Sequence, residues 1–145
     1  SAIGEGIVFY TCSEGVTTEE EAFFLETMAG VGMLPPLAEK LMDAGSALAG
    51  CGPAFTSMFL EALADGAVAC GVLRKPAMEY AAMTMLGAAE MVLQSGQHPG
   101  ALKDAVCSPG GSTIAGIKAL EEGAFRASVM NCVAATCNRN KELGK

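Results

Sequence analysis

The segment Cys107-Ser108-Pro109-Gly110-Gly111-Ser112-Thr113 sets a proline, two adjacent glycines and three hydroxyls ahead of a helical run. Pro109 fixes φ, while Gly110 and Gly111 open backbone angles that a Cβ would forbid. Ser112 or Gly111 can then cap a helix running from about Thr113 to Leu120. The first turn of that helix has N–H groups without intrahelical acceptors, and its dipole favours negative charge. Amides, glycines and hydroxyls in this order can receive a small carboxylate or phosphate. The same residues also make an ordinary loop and capped helix start, which is the commoner use of such a sequence.

Other candidates for chemistry read as structural. His98 is the only histidine and precedes Pro99, with no acidic or nucleophilic partner beside it that would mark a general acid. It is expected to cap or pack at that turn. Glu79 and Glu90 stand eleven residues apart on one predicted helix, about three turns, too far to flank a single bond. The six cysteines form no C-x-x-C, so neither a zinc site nor any other metal site is expected.

These residues need elements to hold them. Gly6-Ile7-Val8-Phe9-Tyr10-Thr11-Cys12 predicts a strand, and Thr17-Thr18-Glu19-Glu20-Glu21 opens a helix with a hydroxyl cap and acids in its first turn. That helix runs to about Ala29 with Phe23, Phe24 and Met28 inward. A second strand is predicted at Val31–Leu34. A lone strand–helix–strand unit cannot cover its own apolar faces.

Beyond it the pattern is helical: Leu37–Leu48, a turn at Gly50-Cys51-Gly52-Pro53, then Ala54–Cys70, Pro76–Gln94, Gly100–Val106 and Ala124–Leu143. Phe55, Met58, Phe59, Ala62 and Leu63 share one face of the Ala54–Cys70 helix, with Ser57, Glu61 and Asp65 as a narrow polar stripe. A helix so largely apolar is expected to be buried by more than one neighbour. In the last helix Val129, Cys132, Val133 and Thr136 form the inner face.

The chain is 51% hydrophobic, has 9 Met and no Trp, and has a mean hydropathy of +0.37. Such composition suits close helix packing and an extensive apolar contact between subunits. Acids at Glu61, Asp65, Glu79 and Glu90 interrupt the long segments before the ~20 apolar residues of a membrane span, so none is expected. A net charge of −7 with no basic stripe argues against nucleic acid. Nothing reads as a signal peptide, and a cytoplasmic protein with reduced thiols is expected.

From Leu37 onward the sequence resembles the C-terminal half of pyrroline-5-carboxylate reductase. The matching blocks are Ala49-Gly50-Cys51-Gly52-Pro53-Ala54-Phe55, Ala62-Leu63-Ala64-Asp65-Gly66, Gln97-His98-Pro99-Gly100-Ala101-Leu102-Lys103-Asp104, Ser108–Thr113 and Leu120-Glu121-Glu122-Gly123-Ala124-Phe125-Arg126. They stand in the family's order and spacing. The resemblance implies a mostly α fold: an interlocking helical dimerisation domain, 39–145, after a short strand–helix–strand remnant of a Rossmann-type dinucleotide-binding domain, 1–38. No G-x-G-x-x-G follows a strand, so the chain reads as a fragment of a longer reductase, with no cofactor-binding residue assigned within it.

The implied reaction is hydride transfer from NADPH or NADH to the imine carbon of 1-pyrroline-5-carboxylate, giving L-proline. Gly110, Gly111, Ser112 and Thr113 would hold the substrate, with Thr113 either the catalytic contact at the ring nitrogen or a further carboxylate ligand. Ser108 would shape the loop. The implied assembly is a homodimer in which each site joins the nucleotide domain of one subunit to helices of its partner, with rings of dimers as a further level. The sequence departs from the family at Gly96-Gln97, Cys51, Ser112 and Ala105. A helical assembly module without activity is one alternative. A β-hydroxyacid-type dehydrogenase is another, disfavoured because neither long central helix holds an internal lysine.

Overall fold

A computed structural model describes residues 3–144. The chain divides into two units: one comprises residues up to Pro53 and those from Val129 onward, the other Ala54–Ser128.

In the first unit, strand β1 (Gly6–Ile7) and strand β2 (Gly32–Met33) pair in parallel, Gly6 opposite Gly32 and Ile7 opposite Met33. Helix α1 (Thr18–Met28) connects them, so the strand–helix–strand unit is present. The strands are shorter than the β-branched run suggested. Beyond Ile7 the pairing survives only as a Val8 N–H to Met33 carbonyl bond of 3.0 Å and a bridge from Tyr10 to Pro36. Prolines at 35 and 36 donate no amide, so the ladder stops there.

The start of α1 follows its sequence signal. Thr17 and Glu20 form a reciprocal capping box, the Thr17 hydroxyl accepting from the Glu20 amide and the Glu20 carboxylate accepting from the Thr17 amide at 2.9 Å. Those bonds hold the Glu20 carboxyl below the usual range. Phe24 turns inward onto Tyr10, ring centroids 5.4 Å apart. Phe23 does not: it is 71% exposed, on a face left uncovered among the described residues.

The predicted Leu37–Leu48 helix and the break after it are replaced by a graded helical track. A 3₁₀ turn at Glu39–Leu41 leads into helix α2 (Met42–Gly45), a π turn at Ser46–Gly50 and helix α3 (Gly52–Ala69). Gly50-Cys51-Gly52-Pro53 therefore does not make a reversal: Cys51 keeps a right-handed helical conformation and bonds back to the Ser46 carbonyl at 3.1 Å. Gly45 is buried where a Cβ would meet Leu37 and Phe9, which explains a glycine inside this track. The last helix, α7 (Phe125–Leu143), returns to this unit, and its Asn140 amide donates to the Asp43 carbonyl at 3.1 Å.

In the second unit α3 packs on helix α4 (Arg74–Ser95) through alanines: Ala64, Ala77 and Ala81 are 0%, 1% and 8% exposed. Side chains this small let two helix backbones approach closely. Gly71 ends α3, and an ion pair between Asp65 and Arg74 spans the turn. Helix α5 (Pro99–Ala105) and helix α6 (Ser112–Glu122) follow, and the Phe125 ring lies 5.4 Å from that of Phe59.

Among the described residues α3 is covered only in part, by α4 and by the Phe125 ring on Phe59. Met58 is 72% exposed and Leu63 39%, because α4 covers only the face carrying Ala64 and Leu60. On α4, Tyr80, Met83, Leu86, Met91 and Leu93 are likewise exposed, as is Val129 on α7. One helical run among the described residues, Glu39–Ala69, has the length and apolar composition of a membrane span, with Glu61 and Asp65 inside it.

Candidate functional site

Helix α5 ends by winding into the bend that carries the hydroxyls: the Val106 amide reaches the Lys103 carbonyl at 3.3 Å and the Cys107 amide reaches that of Asp104 at 3.0 Å. The chain then reverses over Ser108–Gly111, closed by the Gly111 amide donating to the Ser108 carbonyl at 3.0 Å. Pro109 occupies the first corner and Gly110 the second, with φ at +69°. That is the pattern of a type II turn, whose second corner requires a positive φ and therefore favours glycine. The Ser108 side-chain oxygen folds back over Gly111, so Ser108 shapes the bend as its sequence position suggested.

Gly111, in extended conformation, is the cap of α6, and Ser112 is already helical. The helix is longer than Thr113–Leu120 by a residue at its start and two at its end. No side chain caps it. Its first-turn amides are therefore left for an outside acceptor, at the end where the helix dipole is positive. Gly110, Ser112 and Thr113 are exposed and Gly111 is half-buried, so the four residues lie together on an open surface.

The remaining candidates are arranged structurally. His98 caps α5, its Nδ1 accepting from the Gly100 amide at 3.0 Å. Glu79 and Glu90 are exposed. Among the described residues no group of three or more metal-ligating side chains converges.

Two features escaped sequence reasoning. The first is the pair Lys103 and Arg126, which line one cavity although 23 residues separate them, along with His98 and Phe125. Only the fold of α5 against the α6–α7 corner brings them together. Lys103 pairs with Asp104, which raises its pKa, and Arg126 Nε lies 2.5 Å from Glu121. The second is an apolar groove of about 570 Å³ between α4 and α5, lined by Met91, Val92, Leu102 and Val106.

Comparison with known proteins gives concordant results. Residues 39–143 match the family model described as pyrroline-5-carboxylate reductase dimerisation. A pyrroline-5-carboxylate reductase of Arabidopsis thaliana is 46% identical over 145 residues, covering 100% of this chain and 52% of that protein. One of Methanosarcina acetivorans is 50% identical over 132 residues, covering 91% of this chain and 49% of that protein. Among solved structures, the Plasmodium falciparum pyrroline carboxylate reductase with NADP bound superposes with a TM-score of 0.91 at 35% identity, over 99% of this chain and 55% of that one. A pyrroline-5-carboxylate reductase of Coxiella burnetii superposes with a TM-score of 0.93 at 32% identity, over 99% and 54%. The chain spans about half the length of the curated relatives it matches.

Proposed function

We propose, from the premise that this chain belongs to the pyrroline-5-carboxylate reductase family, that it serves the reduction of 1-pyrroline-5-carboxylate to L-proline in proline biosynthesis. The observation that carries this reading is the uncapped start of α6 behind the Ser108–Gly111 bend. The first-turn amides from Ser112 onward, with the Gly110 backbone exposed beside them, suit a carboxylate of a five-membered ring, while the Gly111 amide holds the bend closed on Ser108. Thr113 stands one residue on, in reach of the same ligand, as a hydrogen-bond partner at the ring nitrogen or a further carboxylate contact. An unactivated hydroxyl is a weak acid, so orientation is the better role for Thr113, with the proton relayed by water.

When bound, NADPH or NADH supplies the hydride. This sequence has no glycine-rich phosphate turn after a strand, so none of its residues is assigned to the nucleotide. The division of labour we propose follows: residues 1–38 belong with the dinucleotide-binding domain, and residues 39–145 dimerise and hold the substrate. The exposed apolar faces of α3 and α4, and the groove beside α5, suit a homodimer whose partner covers them, with higher assembly built on it. A cytoplasmic location, without nucleic-acid or membrane partners, completes the reading.

The test is turnover. Protein of native length should oxidise NADPH or NADH when 1-pyrroline-5-carboxylate is added, and Thr113→Val should lower kcat/KM about tenfold to hundredfold, the range for a hydrogen bond to a charged group. Failure to consume reduced nucleotide would leave a helical assembly module; an unaffected Thr113→Val enzyme would remove that side chain from the site.

A further inference from the structure

We infer that the cavity at the α5, α6 and α7 corner binds a small organic carboxylate with an apolar body, at a site separate from the Ser108–Thr113 bend. The cavity is about 400 Å³, room for a ligand of a few carbons and its hydration. Its walls divide by chemistry: Ile117, Leu120 and Phe125 supply an apolar floor, while Lys103 and Arg126 supply two cations.

The two cations line one cavity; the Asp104 carboxylate raises the Lys103 pKa, and the Arg126 charge works weakly against that rise. Each is compensated by one carboxylate from its own neighbourhood, Asp104 for Lys103 and Glu121 for Arg126. Those pairs are exposed, with side-chain exposures of 34% and 73% for the first and 64% and 46% for the second, so they contribute little and are readily exchanged. A ligand anion between the two cations would gain both attractions at once and relieve their mutual repulsion. His98 cannot compete for it with Nδ1, which already accepts from the Gly100 amide.

Backbone strain lies at the same corner. Ala124 is the only non-glycine residue with positive φ among the described residues, at +53°, and it immediately precedes Phe125 and Arg126. An L-residue in this conformation is held there by its surroundings. Here it aims two lining side chains, and Phe125 is further fixed by the Phe59 ring.

The site does not depend on the substrate reading given above. Thr113 and Ile117 are four apart on α6, one turn, about 6 Å along the helix. The two places therefore share a helix but can be separated by mutation.

The experiment titrates native-length protein with sodium hexanoate, with hexylamine as the same chain bearing the opposite charge, following the methyl NMR signals of Ile117 and Leu120. Hexanoate should move these signals to saturation, and hexylamine should not. Lys103→Gln and Arg126→Gln should each raise the hexanoate Kd about fivefold, with Thr113→Val leaving it unchanged. Arg126→Gln also breaks the Glu121 pair, so Lys103→Gln, on a different helix, keeps the test decisive if the first variant is unfolded. Absence of saturation, equal response to hexylamine, indifference to Lys103→Gln, or loss of binding in Thr113→Val would each overturn the assignment.

Discussion

The Ser108 side-chain oxygen occupies the space that a Cβ on residue 111 would need, while the Gly111 amide donates to the Ser108 carbonyl at 3.0 Å. The two residues are thus fitted to each other from both sides of the bend. Gly111→Ala must swing the hydroxyl away and press a carbonyl that would stand 3.1 Å from the new carbon. The single variant should lose about 1 kcal/mol, and adding Ser108→Ala should recover part of it. Urea midpoints of the four members of this cycle test the coupling; simple additivity would mean that the pair is not fitted.

Ala124 carries a conformation that glycine adopts freely. The left-handed cost for an L-residue is about 1–2 kcal/mol, and the added freedom of glycine in the unfolded chain returns about 0.4–1 kcal/mol of that. Ala124→Gly should therefore stabilise the protein by about 0.5–1 kcal/mol, against the usual direction for alanine-to-glycine changes, as read from the shift in denaturant midpoint.

Tyr10 donates its phenol proton to Glu21 at 2.6 Å, and that bond, then partial desolvation and the negative charge, push its pKa up to about 12. A raised folded pKa means that the bond's stability is whole below pH 10 and is lost as pH climbs through 12. Absorbance of tyrosinate should show one component with a midpoint near pH 12. Glu21→Gln should move that component down, and Tyr10→Phe should abolish it.

Met91 lines the apolar groove beside α5 and is 52% exposed. Where a partner subunit covers that groove, a buried unpaired carboxylate is strongly unfavourable. Met91→Glu should shift the protein towards monomer in sedimentation velocity by at least about tenfold in dissociation constant, with its helical circular dichroism retained.

What could be read from the sequence was what local chemistry determines. The Thr17–Glu20 capping box, the Pro109-Gly110 corner and the His98 cap all rest on residues within a few positions of each other, and all three form. The missing break at Gly50–Pro53 shows the limit: glycine and proline signal a turn, but the carbonyls of Ser46 and its neighbours continue the helix in a wider winding. Phe23, Met58 and Leu63 mislead for another reason. Their periodicity marks a face to be covered, and periodicity does not say whether the cover comes from the same chain. The cavity of Lys103 and Arg126 was illegible, since nothing local links an α5 lysine to an arginine beyond α6.

The bond from Asn140 to the Asp43 carbonyl joins residues 97 apart within one unit. Everything between Ala54 and Ser128 must therefore leave the ribosome before that unit can close. Helix α2 waits for α7, which is synthesised after residues 54–128, and long-range closure of this kind is slow. Nascent chains stalled short of Asn140 would be the species in which protease and chaperone find this protein most vulnerable.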